Sequence, residues 1–533
     1  MNLFSIKSFF RGFPIIKTRL VHILSRIRNF YYNSGFNFDP LVTYGIIVFV
    51  SLVITFSLRI VRLELFIGAA NDTAFYLQGL WRLSQFDVPI STFNFLYPST
   101  KSATNILFGG HFMYSALMYI PLFWISDSPL FVGMFIIPFI TLVMTLYWWC
   151  RLFPGKDNLL WGVLGLVLLI WSPFSGIADE EFYFDTFSVP WVLASLLFLR
   201  EKREIPFLIS LFIVVGFKLY FASFAALACF LYYAENRSKK AVWAGLLFII
   251  YFLFILIVAI PHFFNSESAV KENLGVMDIE GSFAWLAYLF ERSFSLENLK
   301  YLFNFFGVFL FIPLITPRIT FLALPILGII WLFFSDAIFS GPHYHVLPNT
   351  ILAVAFVDGC VCIKESIKLW NKRFVELFAL VMILAMVCYY GYIPSHLSNE
   401  LSTVSLGLVP EPKGVRNYLY RLKEDLSDLR SQPAYMQEVK DALSKIQPEE
   451  EISIVPKLTP YVVKNSGWVF PKPFNQKNLG NRVNRVIISK HHYSYLNSFR
   501  GNKQEFSKYI EFLKEEYNMK VETESVNLIV LTK

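Results

Sequence analysis

Between Leu41 and Ile393 long apolar runs alternate with short polar loops, and the runs have the length of membrane-crossing helices. A bilayer core takes roughly 17 to 25 apolar residues per helix. Leu41–Ile60, Pro129–Cys150 and Phe374–Ile393 meet this outright, and Leu159–Pro173, Phe187–Leu199, 241–260, Leu299–Ile315, Thr320–Phe339 and Val346–Ile363 follow the same pattern. The thirty-residue stretch Ile205–Ala234 has basic residues at both ends, which requires an even number of crossings; it is predicted to be two short helices with Lys218 near the turn. The sum is about eleven transmembrane helices. A further apolar run, Phe112–Ser126, is too short to cross comfortably, and counting it would put the later basic loops on the wrong side. It is predicted to lie along, or dip into, the outer surface.

The loops set the orientation. One group carries Arg151 and Lys156, then Arg200, Lys202 and Arg203, then Arg237, Lys239 and Lys240, then Lys364, Lys368, Lys372 and Arg373; the positive-inside rule places these in the cytoplasm. Residues 1–40, with Lys7, Arg11, Lys17, Arg19, Arg26 and Arg28 among Phe, Ile and Leu, are expected to form a basic amphipathic segment on the cytoplasmic membrane surface. The transmembrane domain then covers 41–393, with long outer loops at 61–128 and 261–297. From about 394 the composition becomes that of a soluble domain: a charged helical stretch Lys413–Ile446, β-type runs at Ile452–Val455 and Val483–Ser489, a helix Lys503–Tyr517 and a β-rich end Val521–Leu531. This predicts a small α/β domain over 394–533, outside the bacterial inner membrane.

Composition agrees with that class: 55% hydrophobic, 18% aromatic and 16% charged residues, with a mean hydropathy of +0.51. The net charge of +8 follows from the basic inner loops and does not call for nucleic acid. The five cysteines all fall in or beside predicted spans, so neither a disulfide framework nor a zinc site is expected.

Polar groups near membrane depth are costly and commonly line a cavity or pathway, and on this topology the acids and histidines gather at the outer face. Asp72, at the start of the amphipathic stretch Asn71–Phe86, is placed to accept a proton from an acceptor hydroxyl; equally, Asn or Asp before such a stretch is an ordinary helix cap. Glu181 and Asp185, in Asp179-Glu180-Glu181-Phe182-Tyr183-Phe184-Asp185, could hold a divalent cation, Mg²⁺ or Mn²⁺, together with Asp72, or be solvated loop acids. His111 and the pair His343/His345 are candidate phosphate or metal contacts. Lys218 interrupts an apolar stretch, and an ammonium there either snorkels or pairs with an anion such as a lipid phosphate. Arg59 and Arg62, ending the first span, could serve the same charge or anchor the interface.

Several of these residues carry a likeness. An outer loop opening on Asp72, a His-led surface run, a span ending Arg151-Leu152-Phe153 and then Gly216-Phe217-Lys218 resemble the GT-C superfamily of membrane glycosyltransferases, which includes protein O-mannosyltransferase-like and aminoarabinose-transferase-like enzymes. The whole chain is more similar to a bacterial and archaeal family of predicted membrane proteins of unknown function related to that fold, through Phe182–Asp185, Phe217-Lys218, His343-Tyr344-His345, Ile452–Val455 and Val486–Ile488. The resemblance implies a GT-C-like, all-α polytopic domain, a polyprenyl-phosphate-linked sugar as donor, Asp72 as base or metal ligand, and Lys218 at a position where a lysine is common. Asn71-Asp72 stands where many relatives have an Asp-Glu pair, and His111-Phe112-Met113-Tyr114 where they have a His-Pro-Pro-Leu type run.

The expectation is therefore a membrane glycosyltransferase acting at the outer face, with Asp72 catalytic, His111, Lys218, Arg62, His343 and His345 binding substrate, and membrane lipids as surroundings. Two other classes stay open. A non-enzymatic scaffold would bind lipid or a protein partner through 394–533, and a transporter would move substrate unchanged.

Overall fold

The computed structural model describes residues 39–64, 71–87, 90–91, 104–105, 113–171, 183–255, 258, 302, 305–307, 309–333, 345–367, 433–454, 456–464, 469–470, 483–489, 503–525 and 528–533. The fold is mostly helical, with a small sheet near the C-terminus. Nearly all of the expected segment 1–40, the loop 261–297 and the span Phe374–Ile393 lie outside the described residues.

The first two helices are α1 (Pro40–Glu64) and α2 (Asn71–Ser84). The short run predicted to lie on the surface is a 3-10 helix, Tyr114–Trp124. At about 2 Å per residue its eleven residues reach roughly 22 Å, short of a 30 Å hydrocarbon core. Next comes α3 (Pro129–Leu152), opened by Ser128, whose hydroxyl accepts from the Phe131 amide with Pro129 in the first turn. A π-helical segment, Val132–Ile136, interrupts it. Then follow α4 (Leu159–Trp171), a single turn at Phe184–Phe187, α5 (Val189–Arg200), α6 (Glu204–Val215), α7 (Phe221–Asn236), α8 (Lys239–Phe254), α9 (Leu324–Phe333) and α10 (Val346–Ile367). Among the described residues three helices are long and apolar enough to cross a membrane by length and composition: Pro40–Val61, Pro129–Leu152 and Val346–Ser366.

The thirty-residue apolar stretch does divide in two, as α6 and α7, with Lys218 in the turn. Arg237 ends α7 in the left-handed conformation, and Ser238 caps α8 through the Ala241 amide. The expected span Leu299–Ile315 is corrected: within its described part, Leu310 and Phe311 have positive φ, the Phe311 amide returns to the Phe306 carbonyl, and a 3-10 turn Ile312–Ile315 follows. Pro313 and Pro317 lack the amides that a continuous helix needs there.

Close approach fixes the core. Trp149 on α3 is fully buried and donates to the Gly162 carbonyl on α4 (3.1 Å), while the Tyr44 hydroxyl of α1 reaches the Phe153 carbonyl (3.2 Å). A Cβ on Gly162 would stand 2.0 Å from the Tyr44 hydroxyl, so only glycine lets α1 and α4 meet here. At the same end of the bundle the charged groups pair across helices: Arg200 with Asp358, Arg318 with Glu235, and Arg151 with Glu201 at 3.2 Å.

In the C-terminal part, α11 (Pro433–Ser444) and α12 (Lys503–Tyr517) accompany five strands: β3 (Ile452–Ile454), β4 (Val469–Phe470), β5 (Arg485–Ser489), β6 (Lys520–Glu524) and β7 (Leu528–Thr532), with β1 (Ile90–Ser91) and β2 (Thr104–Asn105) forming a separate pair. The order is β4-β3-β5-β7-β6, parallel through β4, β3 and β5 and antiparallel through β5, β7 and β6. The β-rich end Val521–Leu531 is a hairpin, closed where the Ser525 hydroxyl accepts from the Leu528 amide at 3.0 Å. Glu522 bridges Lys445 (2.9 Å) and Arg485 (2.6 Å), and the Lys445 hydrogen bond holds its carboxyl below the usual range.

Candidate functional site

Asp185 is the second residue of the Phe184–Phe187 turn, which its neighbours hold rigidly: Thr186 donates to the Tyr183 carbonyl (2.7 Å) and Ser188 to the Asp185 carbonyl (2.6 Å). The connection between α6 and α7 brings Lys218 to it. Glycine is required at the start of that connection, because a Cβ on Gly216 would fall 2.1 Å from the Ser115 hydroxyl and 2.4 Å from the Tyr114 ring. The Gly216 carbonyl accepts from the Ser115 amide (2.9 Å), and Ser115 and Tyr114 donate to the Ile213 and Phe212 carbonyls. The 3-10 helix is thereby stitched to the segment that presents Lys218.

The result is a buried polar centre. Lys218 Nζ lies 3.0 Å from Asp185 Oδ2, the two side chains being 4% and 0% exposed. Tyr220 donates its phenol to the same oxygen at 3.3 Å, and its ring lies 5.6 Å from the ammonium. Asp185 Oδ1 is buried without a hydrogen-bond partner. Aromatic rings close the centre from three sides: Tyr76 of α2 meets Phe184 at 5.1 Å, and Tyr119 of the 3-10 helix meets Phe187 at 5.4 Å and Phe217 at 6.3 Å. Such a pair survives in an apolar interior only because each charge neutralises the other.

The remaining candidates fall unevenly. Asp72 is in the first turn of α2, one turn before Tyr76, where a helix dipole favours a carboxylate; its side chain, that of Arg62, and all of His111, Glu181 and His343 lie outside the described residues. His345 is buried, its ring 5.8 Å from that of Phe305. Arg59 is buried and donates to the Met134 carbonyl at 2.6 Å, within the π-helical segment of α3. Among the described residues no three His, Cys, Asp or Glu side chains converge as a cation site. Of the three expected cation ligands, Asp185 faces the Lys218 ammonium, while the Asp72 side chain and Glu181 lie outside the described residues.

Two features were missed from sequence. Tyr220 was within reach of inspection, two residues beyond Lys218. Asn349, one turn beyond His345 in α10, is buried, donates from Nδ2 to the Leu169 carbonyl at 3.4 Å, and leaves Oδ1 without a partner. Its signal was an amide in an otherwise apolar helix.

The family described as predicted membrane protein (DUF2079) matches residues 62–530. The chain belongs to this family. Together with its apolar helices, membership makes this DUF2079 protein a membrane protein. No curated protein matches it. Among solved structures, ArnT from Cupriavidus metallidurans bound to undecaprenyl phosphate is similar over 92% of this chain and 97% of that chain, at 11% identity and a TM-score of 0.49. The apo state of the same ArnT covers 87% of this chain and 93% of its own, at 13% identity and a TM-score of 0.43.

Proposed function

We propose that this DUF2079 protein is a GT-C-type membrane glycosyltransferase that moves a sugar from a polyprenyl-phosphate carrier to an acceptor at the outer face of the membrane. The observation that carries the reading is the Lys218–Asp185–Tyr220 centre, buried in the helical domain beneath aromatic residues of α2 and the 3-10 helix. Ionisable groups buried inside a transmembrane domain are rare and commonly mark substrate paths. In this reading Lys218 exchanges Asp185 for the carrier phosphate, and Asp72, at the head of α2, takes the acceptor proton. His111, Arg62, His343 and His345 surround the donor.

The test is native mass spectrometry of the full chain, purified in mild detergent from its own membranes. Wild type is expected to carry polyprenyl phosphate or its glycosylated form, and Lys218→Ala, checked for an unchanged size-exclusion profile, is expected to lose most of it. A wild-type protein free of carrier lipid but holding a protein partner would sink the reading. It would favour the scaffold alternative, which draws on the docking of the C-terminal part against α1 and α2: the Tyr461 hydroxyl reaches the Leu63 carbonyl at 2.6 Å, and Lys464 lies 4.8 Å from the Trp81 ring.

A further inference from the structure

Among the described residues of the helical domain, two buried carbonyl-type side-chain oxygens have no hydrogen-bond donor: Asp185 Oδ1 and Asn349 Oδ1. Their residues are 0% and 1% exposed. A buried polar atom left without a partner is costly, and native interiors rarely keep one without a reason. Here there are two, both acceptors.

They also lie towards the same end of the bundle. The Phe184–Phe187 turn packs against α10, and α5, which continues from that turn, runs beside α10 as well. Arg200, the last residue of α5, pairs with Asp358 midway along α10, so the two helices run in the same direction and Asp185 and Asn349 both lie towards their starts. The contacts of α4 agree: Asn158, just before it, accepts from Lys364 late in α10 (3.1 Å), and Leu169 near its other end accepts from Asn349 early in α10.

We infer that Asp185 and Asn349 form an acceptor pair that reads the hydroxyl groups of the transferred sugar. Two orphaned acceptors select for a ligand that brings donors, and a glycosyl ring brings several; a phosphate brings none at neutral pH. Lys218, beside Asp185, supplies the positive charge for the phosphate, so the three residues divide one ligand into a hydroxyl-bearing part and an anionic part. The inference rests on the glycosyltransferase reading and adds the residues that distinguish a loaded carrier from a spent one.

The experiment uses the full chain in detergent with two probes, polyprenyl phosphate and polyprenyl-phosphate hexose, and compares their retention by native mass spectrometry in wild type and Asn349→Leu. Leucine keeps the branched outline of asparagine and removes the acceptor. Wild type is expected to prefer the hexose-bearing lipid, and Asn349→Leu to lose that preference by about tenfold while holding the bare lipid as before. Retention of the bare lipid doubles as proof that the variant is folded; should Asn349→Leu fail that check, Asn349→Ser, which keeps a smaller acceptor, is expected to retain part of the preference. Equal retention of both lipids in wild type, or a preference untouched in the folded variant, overturns the inference and leaves the carrier reading standing. Retention of neither lipid by wild type overturns both.

Discussion

At the scale of single residues, the ion pair between Lys218 and Asp185 is at once the most costly feature of the helical domain and its best candidate for function. Removing one partner strands the other charge in an apolar interior, which costs about 3 to 5 kcal/mol, whereas replacing both with apolar residues of similar size is nearly neutral. Lys218→Met alone and Asp185→Leu alone are therefore each expected to lower the thermal midpoint in detergent sharply, and the double variant to recover most of the loss. Fluorescence melts of the four proteins form the cycle. Additive losses in the double variant would show that the pair does not act as a unit. Full thermal recovery without recovery of lipid capture is the pattern expected of residues kept for function. Both residues were legible as candidates from sequence, because each puts a charge where the surroundings are apolar or aromatic. Their union was not, since nothing in the local pattern says that the turn after α6 reaches back to the turn before α5.

At the scale of elements, the same turn depends on Gly216. A Cβ there meets Ser115 Oγ at 2.1 Å and Tyr114 at 2.4 Å, and both residues open the 3-10 helix. Overpacking of this kind costs about 1 to 3 kcal/mol. Gly216→Ala is expected to lower the thermal midpoint, and Gly216→Ala with Ser115→Ala to recover only part of it, because the Tyr114 ring remains in the way; complete rescue would place the whole clash on Ser115. Periodicity made α1, α3, α4 and α12 legible almost to the residue, for apolar length and amphipathic spacing are local properties. It failed at Leu299–Ile315, where composition reads as one span but Pro313 and the reversal at Leu310 and Phe311 break the run. It also missed β4, whose two residues pair in parallel with β3 and carry no pattern of their own.

Across the whole molecule, α2 connects the polar centre to the C-terminal part. One face of α2 offers Tyr76 to Phe184, beside Asp185, and further along Trp81 lies under Lys464. Tyr461 anchors the same junction at the Leu63 carbonyl, the end of α1 from which the chain runs on to α2, and Lys440 meets Glu64 nearby at 2.6 Å. Burial holds the Tyr461 phenol far above its ordinary pKa, so it stays a donor throughout the physiological range. The exposed Lys440–Glu64 pair contributes little, and the cation–π contact about 0.5 to 1 kcal/mol, which leaves the Tyr461 hydrogen bond as the strongest polar tie. Tyr461→Phe keeps the ring and removes that tie, at about 1 kcal/mol. Hydrogen exchange in the full-length protein is expected to speed up in α2 and at the end of α1, with β5 and β7, at the centre of the sheet, unchanged. If α2 is the mechanical link between the C-terminal part and the centre, exchange at Phe184–Phe187 rises with it. Faster exchange confined to residues 456–464 would mean that the C-terminal part rests on the helical domain without governing it.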